Sequence, residues 1–262
     1  MPWDISKEGS KYVVRNQETG RLIGTHTTKE KAVKQLRLLY YLVSQGKIKE
    51  GGTSFYGSSL NKDDEIYLIL ADESYRDKDK RIPIIDGYIY DIDLSTKRSA
   101  VYINPNNKKI IIAHRGTVKT DTSDLKQDAL ILAGQVDKSD RLKRSLETVD
   151  DVIKKYPSFR ISNTGHSLGS RIASEIGLRL PVIDSKVIGF SNAGSPFEIP
   201  KNLFNKLKCS IVNSENCKKL KNQKFYTTGF DPISISNIIH AGKTEFSLPK
   251  SLNVHSLKNF YN

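Results

Sequence analysis

Residues 159–180 read FRISNTGHSLGSRIASEIGLRL, and their pattern guides the interpretation of the whole chain. At their centre, Gly165-His166-Ser167-Leu168-Gly169 fits G-x-S-x-G, in which a serine stands on a tight turn from a strand into a helix. The flanks agree with this context, since Phe159–Thr164 favours a short strand and Leu168 to about Leu180 favours a helix. Small residues at Gly165 and Gly169 suit the close backbone packing that such a turn needs. Ser167 is therefore a candidate nucleophile.

Outward from this turn, strand patterns alternate with helix patterns. Such alternation predicts an α/β fold with a central, mostly parallel sheet flanked by helices. The run KIIIAH at Lys109–His114 is apolar enough to be a fully buried strand. The other predicted strands are Tyr88–Asp93, Ala100–Ile103, Lys186–Phe190 and Lys224–Thr228, and the other predicted helices are Glu65–Tyr75 and Ser139–Lys155.

The N-terminal region has a different pattern. Two short strands, Lys11–Arg15 and Arg21–Thr25, are joined by a turn rich in polar residues, and a capping box at Thr27 predicts a helix from Lys29 to Gln45. The sequence thus predicts a small basic ββα module over residues 1–50, a Gly- and Ser-rich linker over 51–61, and the α/β domain over 62–262.

Composition excludes several classes of protein. With 262 residues, 37% hydrophobic and 27% charged, the chain is globular and not mostly disordered. No apolar stretch is long enough for a transmembrane helix, and the N-terminus lacks the apolar core of a secretory signal. We therefore expect an intracellular protein. A bridge between Cys209 and Cys217 is one alternative, and two reduced thiols are the favoured one. Neither the two cysteines nor the scattered histidines indicate a metal site, and no cofactor is expected.

A serine nucleophile needs a base and an acid that orients it. In hydrolases with this serine turn the chain order is Ser, then Asp or Glu, then His. His240 and His255 are the histidines that follow Ser167. Asp231 comes directly after a predicted strand end, where α/β sheets collect site residues, and Asp184 is the rival acid. The residues alone leave these pairs open, with Asp231 and His255 favoured.

An oxyanion hole requires two N–H donors. The Leu168 amide, directly after the serine, is one candidate. The second is Thr117, which follows the strand Lys109–His114 through Arg115 and Gly116.

These motifs together resemble the class 3 lipase family. Ala113–Thr117 (AHRGT) is similar to its oxyanion segment, Asp124–Asp128 to the acidic stretch that follows it, and Gly165–Gly169 matches G-H-S-L-G at every position. Further matches are Asn192–Pro196, Asp231–Ile233 and Asn253–Leu257. The resemblance covers about residues 62–262. It implies an α/β-hydrolase fold and a lipase or phospholipase A-like ester hydrolase, with Ser167 as nucleophile, Asp231 as orienting acid, His255 as base, and Thr117 and Leu168 as oxyanion donors.

The chain departs from this family at two places. His114 replaces the usual aromatic residue before the arginine, and we interpret it as a packing residue. The stretch Val118–Ser123, where family lipases carry an often apolar lid, is short and polar here. We therefore expect weak interfacial activation and a polar-headed lipid or a soluble ester as substrate.

Positive charge suggests further partners. The net charge is +13, which favours polyanions, and nucleic acid is a less favoured partner. Residues Lys201–Lys224 carry seven lysines against one glutamate, so they form either a solvated surface loop or a transient contact with an anionic membrane. Through Val14–Gly20 and Lys31–Leu36, the N-terminal module also resembles short modules in proteins of large DNA viruses, which implies a host cytoplasm or a virion as the location. The alternative functions are a weakly active or inactive basic binding protein, virion-associated or otherwise, on a hydrolase scaffold, and a thioesterase or other serine hydrolase.

Overall fold

A computed structural model describes residues 3–17, 22–33, 36, 60–118, 130, 134–194, 198–228, 242–247, 256–257 and 260–261. Contacts within the chain define two compact units. The smaller comprises Met1–Tyr56 and Ile82–Gly87, and the larger comprises Gly57–Arg81 and Tyr88–Asn262. The predicted domain boundaries at residues 50 and 62 remain a prediction.

The smaller unit contains a three-stranded antiparallel sheet in the order β1-β2-β3. Its strands are β1 (Trp3–Glu8), β2 (Lys11–Asn16) and β3 (Leu22–His26). The two expected strands are present, whereas β1 was not predicted. Trp3, Val14 and Ala32 form its buried cluster. Residues 29–33 are helical, and most of the helix predicted to reach Gln45 lies outside the described residues.

In the described part of the larger sheet, eight strands lie in the order β11-β10-β9-β8-β7-β6-β5-β4. Strands β7 to β11 run parallel to one another, and β5, β6 and β7 pair antiparallel. The prediction of an α/β fold with a mostly parallel sheet is confirmed. The strands are β4 (Ile84–Ile85), β5 (Tyr88–Tyr90), β6 (Ser99–Asn104), β7 (Lys109–His114), β8 (Arg160–His166), β9 (Lys186–Phe190), β10 (Gln223–Thr228) and β11 (Lys243–Ser247).

Helices accompany the larger sheet. Three of them match predicted helices. Two more, Ile199–Ile211 and Glu215–Lys221, lie in the lysine-rich segment, so of its two interpretations the solvated loop is wrong. Among the described residues, no helix has both the length and the apolar character to cross a bilayer. The helices are α1 (Glu65–Glu73), α2 (Asp140–Lys155), α3 (Leu168–Arg179), α4 (Ile199–Ile211) and α5 (Glu215–Lys221).

The two faces of the central strands are covered by different helices. Ile110 and Ile112 of β7 belong to a buried cluster with Leu142 of α2 and Ile172 of α3. On the other face, Thr164 of β8 donates a hydrogen bond to a carbonyl of α1. Because neighbouring residues of a strand point to opposite faces, the sheet forms the middle layer between α1 and the pair α2–α3.

The polar character of β8 has a structural reason. The Thr164 hydroxyl lies 2.7 Å from the Ile188 carbonyl and 3.1 Å from the Tyr67 carbonyl. Asn163 Oδ1 lies 3.0 Å from Nε2 of His114, whose Nδ1 is 3.3 Å from the Ser99 hydroxyl. Buried polar groups are tolerated when they are hydrogen-bonded, and these bonds link side chains across β6, β7 and β8.

The expectation of two reduced thiols is contradicted by a disulfide between Cys209 and Cys217, whose Cα atoms are 5.2 Å apart. The reason is local geometry. Cys209 lies on the last turns of α4 and Cys217 on the first turn of α5, and the short connection folds one helix end against the next. Leu220 and Leu178 pack around the two cysteines.

Candidate active site

Ser167 occupies the turn between β8 and α3 in a strained conformation. Its φ of 55° and ψ of −124° lie outside the left-handed helical region that non-glycine residues visit. The Ser167 amide donates to the Phe190 carbonyl at 3.0 Å, and the Ser167 carbonyl accepts from the Arg171 amide at 3.2 Å. A backbone held in this way costs of order 1–3 kcal/mol, and such strain is concentrated at functional sites.

Two glycines make this turn feasible. A Cβ added to Gly165 would lie 2.7 Å from the His114 carbonyl oxygen and closer still to the backbone of Gly169. A Cβ added to Gly169 would overlap the same His114 carbonyl. These obstacles are backbone atoms and cannot rotate away. The glycines of the G-x-S-x-G pattern are thus required by the contact between the turn and the end of β7.

The predicted oxyanion segment lies beside the serine turn. Strands β7 and β8 are parallel neighbours with His114 opposite Gly165, so the residues after His114 leave the sheet next to Ser167. Gly116 is the contact point, because a Cβ there would overlap the His166 carbonyl. Thr117 follows directly and is partly exposed.

The Leu168 amide completes the arrangement of backbone donors. Leu168 is the first residue of α3 and its side chain is fully buried. The first N–H groups of a helix have no acceptor within the helix, and the helix N-terminus favours negative charge. The structure therefore brings together Ser167, Leu168 and the segment that ends in Thr117.

One arginine side chain and one backbone hydrogen bond hold the predicted oxyanion segment in place. Arg141 of α2 is almost completely buried and donates a hydrogen bond to the Arg115 carbonyl. The Arg115 amide donates to the Arg98 carbonyl at 2.9 Å. Sequence analysis missed Arg141, because an arginine on the buried side of an amphipathic helix has no sequence signature that separates it from a surface charge.

Tyr75 is a second residue that sequence analysis missed. Its hydroxyl lies 2.9 Å from Nδ1 of His166. Burial raises the pKa of Tyr75 well above its usual value, against a smaller lowering by a hydrogen bond with the Gly116 backbone. The hydroxyl therefore stays protonated at neutral pH and can donate to His166 Nδ1. This contact connects the oxyanion segment with the residue immediately before Ser167.

The structure argues against Asp184 as the orienting acid. Its carboxylate accepts a hydrogen bond from the Ile161 amide at 2.9 Å. Ile161 lies near the start of β8, whereas Ser167 follows the end of that strand. At about 3.3 Å per residue, Ser167 is roughly 20 Å from Ile161.

His114 is likewise a packing residue, as predicted. It is 1% exposed, both ring nitrogens have hydrogen-bonding partners, and burial lowers its pKa to about 4. Such a histidine is neutral at neutral pH, and its two ring nitrogens are engaged by Ser99 and Asn163.

Several predicted site residues lie outside the described part of the chain. These are Asp231, His255, the rival His240, the segment Asp124–Asp128 and all of the polar lid segment except Val118. The described residues that are closest to Asp231 and His255 in sequence lie near the carboxyl-terminal ends of the parallel strands, where Ser167 follows β8. Thr228 ends β10, two strands from β8, and the C-terminal Phe260 contacts Phe190 with ring centroids 5.5 Å apart.

An ion-pair cluster fixes the first turns of α3. The Arg171 guanidinium, one turn after Ser167, makes two bonds of 2.6 Å to Glu198 and one of 2.7 Å to Glu175. Although burial opposes it, Arg171 and Arg179 hold the pKa of Glu175 below its usual range. The cluster attaches the residue that precedes α4 to the helix that carries the serine turn.

Among the residues that the structure describes, no group of three or more histidine, cysteine or acidic side chains is placed to hold a metal ion. The described geometry consists of a strained serine, a helix N-terminus and a fixed turn beside it. Chemically, this arrangement places a serine hydroxyl on the same turn as the first backbone N–H groups of a helix.

No protein-family model matches the sequence, and no curated protein matches it either. Solved structures give no support to the likeness between the N-terminal module and viral modules. They do include similar folds. Lip2 lipase from Yarrowia lipolytica is 14% identical, with a TM-score of 0.47 over 79% of this chain and 86% of that chain.

Two further fungal structures are similar. The Rhizomucor miehei triacylglyceride lipase is 18% identical, with a TM-score of 0.42 over 72% of this chain and 82% of that chain. A triacylglycerol lipase from Penicillium expansum is 18% identical, with a TM-score of 0.41 over 71% of this chain and 79% of that chain. The chain is thus similar in fold to fungal triacylglycerol lipases. At these sequence identities and TM-scores, the similarity carries no argument about the site.

Proposed function

We propose that the protein is a serine hydrolase that cleaves carboxylic esters of lipids through an acyl-enzyme, without a cofactor. The observation that carries this proposal is the strained conformation of Ser167 at the end of a parallel strand, beside the turn that ends in Thr117. A buried, purely structural serine has no need of a positive φ between two obligatory glycines. A nucleophile does, because the turn lifts its hydroxyl clear of the sheet.

The proposed reaction has two halves. In the first, His255 removes the proton from the Ser167 hydroxyl while the oxygen attacks the ester carbonyl carbon. The Leu168 and Thr117 donors stabilise the oxyanion. When the intermediate collapses, the bond to the alcohol breaks and His255 gives its proton to the leaving alcohol oxygen. In the second half, water attacks the acyl-enzyme in the same way, the carboxylic acid leaves and Ser167 regains its proton.

Chain connectivity supports Asp231 as the partner that orients the base. It lies three positions after Thr228, the end of β10. A chain extends by at most about 3.6 Å per residue, so Asp231 is within about 11 Å of that strand end. The same edge of the sheet carries Ser167.

The C-terminal residues after His255 support its role as the base. Ser256 comes next, Leu257 is buried, and Phe260 packs against Phe190. The Phe190 carbonyl is the acceptor of the Ser167 amide. Phe260, five residues after His255, therefore packs on the residue whose carbonyl also holds the candidate nucleophile, which supports a position of His255 near it.

The substrate we propose is a polar-headed lipid or a soluble ester. The segment Val118–Ser123 is too polar to cover a site with an apolar lid, so a sharp rise in rate at the micelle threshold is not expected. The basic region Lys201–Lys224 would favour substrates in an anionic membrane over neutral droplets. The intracellular location remains a prediction. Against it stands the Cys209–Cys217 disulfide, because disulfides are found mainly in oxidising compartments.

The test compares the wild-type protein with Ser167→Ala and a matched control, Ser170→Ala. The Ser170 hydroxyl is buried three residues away and has no hydrogen-bonding partner among the described residues, so its loss should leave the turn intact. Short- and long-chain esters, thioesters and anionic phospholipid vesicles serve as substrates. Hydrolysis by the wild type and Ser170→Ala that disappears in Ser167→Ala supports the proposal, and the substrate ranking separates a lipase from a thioesterase. Undiminished hydrolysis by Ser167→Ala, or none by the wild type, would favour the basic binding protein.

A further inference from the structure

Helix α4 presents its apolar side to solvent and its polar side to the protein. Leu203, Phe204, Leu207 and Ile211 are 46%, 65%, 60% and 87% exposed. At spacings of three and four residues they form one continuous stripe. We call these four side chains the α4 stripe. The usual amphipathic surface helix has the reverse orientation, with its apolar side in the core.

The inner side of the same helix is polar or covalently anchored. Asn202 and Asn205 are half-buried, and Cys209 is buried and bonded to Cys217 of α5. Leu220 of α5 packs with these cysteines against Leu178 of α3. Because the disulfide fixes which side of α4 faces inward, the helix cannot roll over to bury its stripe.

Lysines border the stripe on both sides. On a helical projection at 100° per residue, Lys201 and Lys208 flank one side of the stripe and Lys206 flanks the other. All three are exposed. Over residues 199–221 the sequence has six lysines and one acid, Glu215, which pairs with Lys219. The surface around the stripe is therefore complementary to a partner that is apolar inside and negatively charged at its face.

The helix also begins close to the candidate active site. Glu198, the residue before α4, binds Arg171 through both carboxylate oxygens. Arg171 lies one turn after Ser167 in α3. Whatever binds the first turns of α4 is thereby brought towards the edge of the sheet that holds the serine turn.

We infer that α4 is an interfacial helix that docks the protein on anionic lipid bilayers. The stripe enters the boundary between headgroups and acyl chains, while the bordering lysines contact anionic headgroups. With 13 residues the helix is about 20 Å long, too short to span a bilayer but sufficient to lie in its plane. The inference extends the proposed lipid hydrolysis by naming how the enzyme reaches its substrate, and the docking itself needs no catalysis.

The first experiment measures co-sedimentation with phosphatidylserine-containing and pure phosphatidylcholine vesicles. The test variant is the double substitution Phe204→Glu and Leu207→Glu. The matched control is Ile183→Glu, which alters a 66% exposed isoleucine on a turn beside Asp184, at the opposite end of β8 from Ser167. We expect the wild type and Ile183→Glu to bind the anionic vesicles equally. The double variant should bind at least about tenfold more weakly, since it forfeits the burial of two large apolar side chains.

A second comparison tests the charges. Lys201→Gln with Lys208→Gln should weaken binding to anionic vesicles and reduce its salt dependence, whereas Lys143→Gln, an exposed lysine of α2, should not. Equal binding to both kinds of vesicle, or unaltered binding by the double glutamate variant, would overturn the inference. So would a wild-type dimer that the glutamates convert to monomers, because the stripe would then cover a second copy of the chain.

Two further measurements separate this inference from the proposed function. Ser167→Ala should bind vesicles like the wild type, which shows docking without turnover. The double glutamate variant should hydrolyse a soluble short-chain ester at the wild-type rate. If vesicle binding is present but ester hydrolysis is absent in the wild type, docking stands and the hydrolase proposal fails.

Discussion

Replacing Ser167 by glycine should make the protein more stable than replacing it by alanine. Both substitutions remove the hydroxyl, so they differ only in whether a Cβ remains on a backbone with φ of 55° and ψ of −124°. That conformation costs a residue with a Cβ of order 1–3 kcal/mol. Glycine avoids this strain, but its unfolded chain has greater conformational freedom, which offsets about 0.5–1 kcal/mol of the stabilisation. The net difference in free energy of unfolding is therefore centred on about 1 kcal/mol in favour of Ser167→Gly.

The difference can be measured by calorimetry and by urea denaturation of both variants in the same buffer. For a chain of this size about 1 kcal/mol shifts Tm by roughly 2–4 °C, so we expect Ser167→Gly to melt about 2–4 °C above Ser167→Ala. Equal Tm values, or a lower one for glycine, would refute the reasoning that position 167 is strained. The argument that Ser167 is held for reactivity would then lose its structural basis.

Three other effects should be measurable. Gly169→Ala should cost about 3 kcal/mol or more in urea denaturation, because its Cβ would overlap the backbone carbonyl of His114; a loss below about 1 kcal/mol would contradict the close approach. His114, with its pKa lowered to about 4 by burial, takes up protons more readily in the unfolded chain, whose histidine has a pKa of about 6.5. Stability should therefore fall by up to about 3 kcal/mol as the pH is lowered from about 6.5 to 4, and His114→Gln should flatten that profile in unfolding curves at several pH values; an unchanged profile would speak against it. Reduction of the Cys209–Cys217 disulfide, which encloses a short loop with a sequence separation of 8, should lower the free energy of unfolding by about 2 kcal/mol, whereas no effect of reductant on Tm would contradict a structural bridge.

The sequence predicted the larger sheet well because its central strands carry local signals. Lys109–His114 and Lys186–Phe190 have the predicted bounds, since a run of β-branched residues specifies a buried strand without help from distant contacts. The turn around Ser167 was equally clear, because its glycines are required by steric contact.

The elements that escaped prediction depend on contacts distant in sequence, or reverse a usual pattern. Helix α4 has an apolar stripe, but a stripe is normally taken as evidence for burial, and lysines between its members gave the segment the appearance of a loop. The disulfide was the less favoured of two alternatives, because its formation depends on how α4 and α5 meet. Tyr75 contacts His166, and Arg141 contacts the Arg115 carbonyl. Both partners are distant in sequence, and the residues around Tyr75 and Arg141 carry no pattern that marks a site.

Covalent labelling with an alkyl fluorophosphonate tests the central claim, that Ser167 is an activated nucleophile. The reagent phosphonylates a serine hydroxyl only when a base assists, with loss of fluoride, and intact-mass and peptide mass spectrometry locate the adduct. We predict one adduct on the wild type, at Ser167, formed at a rate that falls strongly in Asp231→Asn and His255→Gln. Ser170→Ala should label like the wild type, and Ser167→Ala should not label at all. An unlabelled wild-type protein, or an adduct at another serine, would contradict the account.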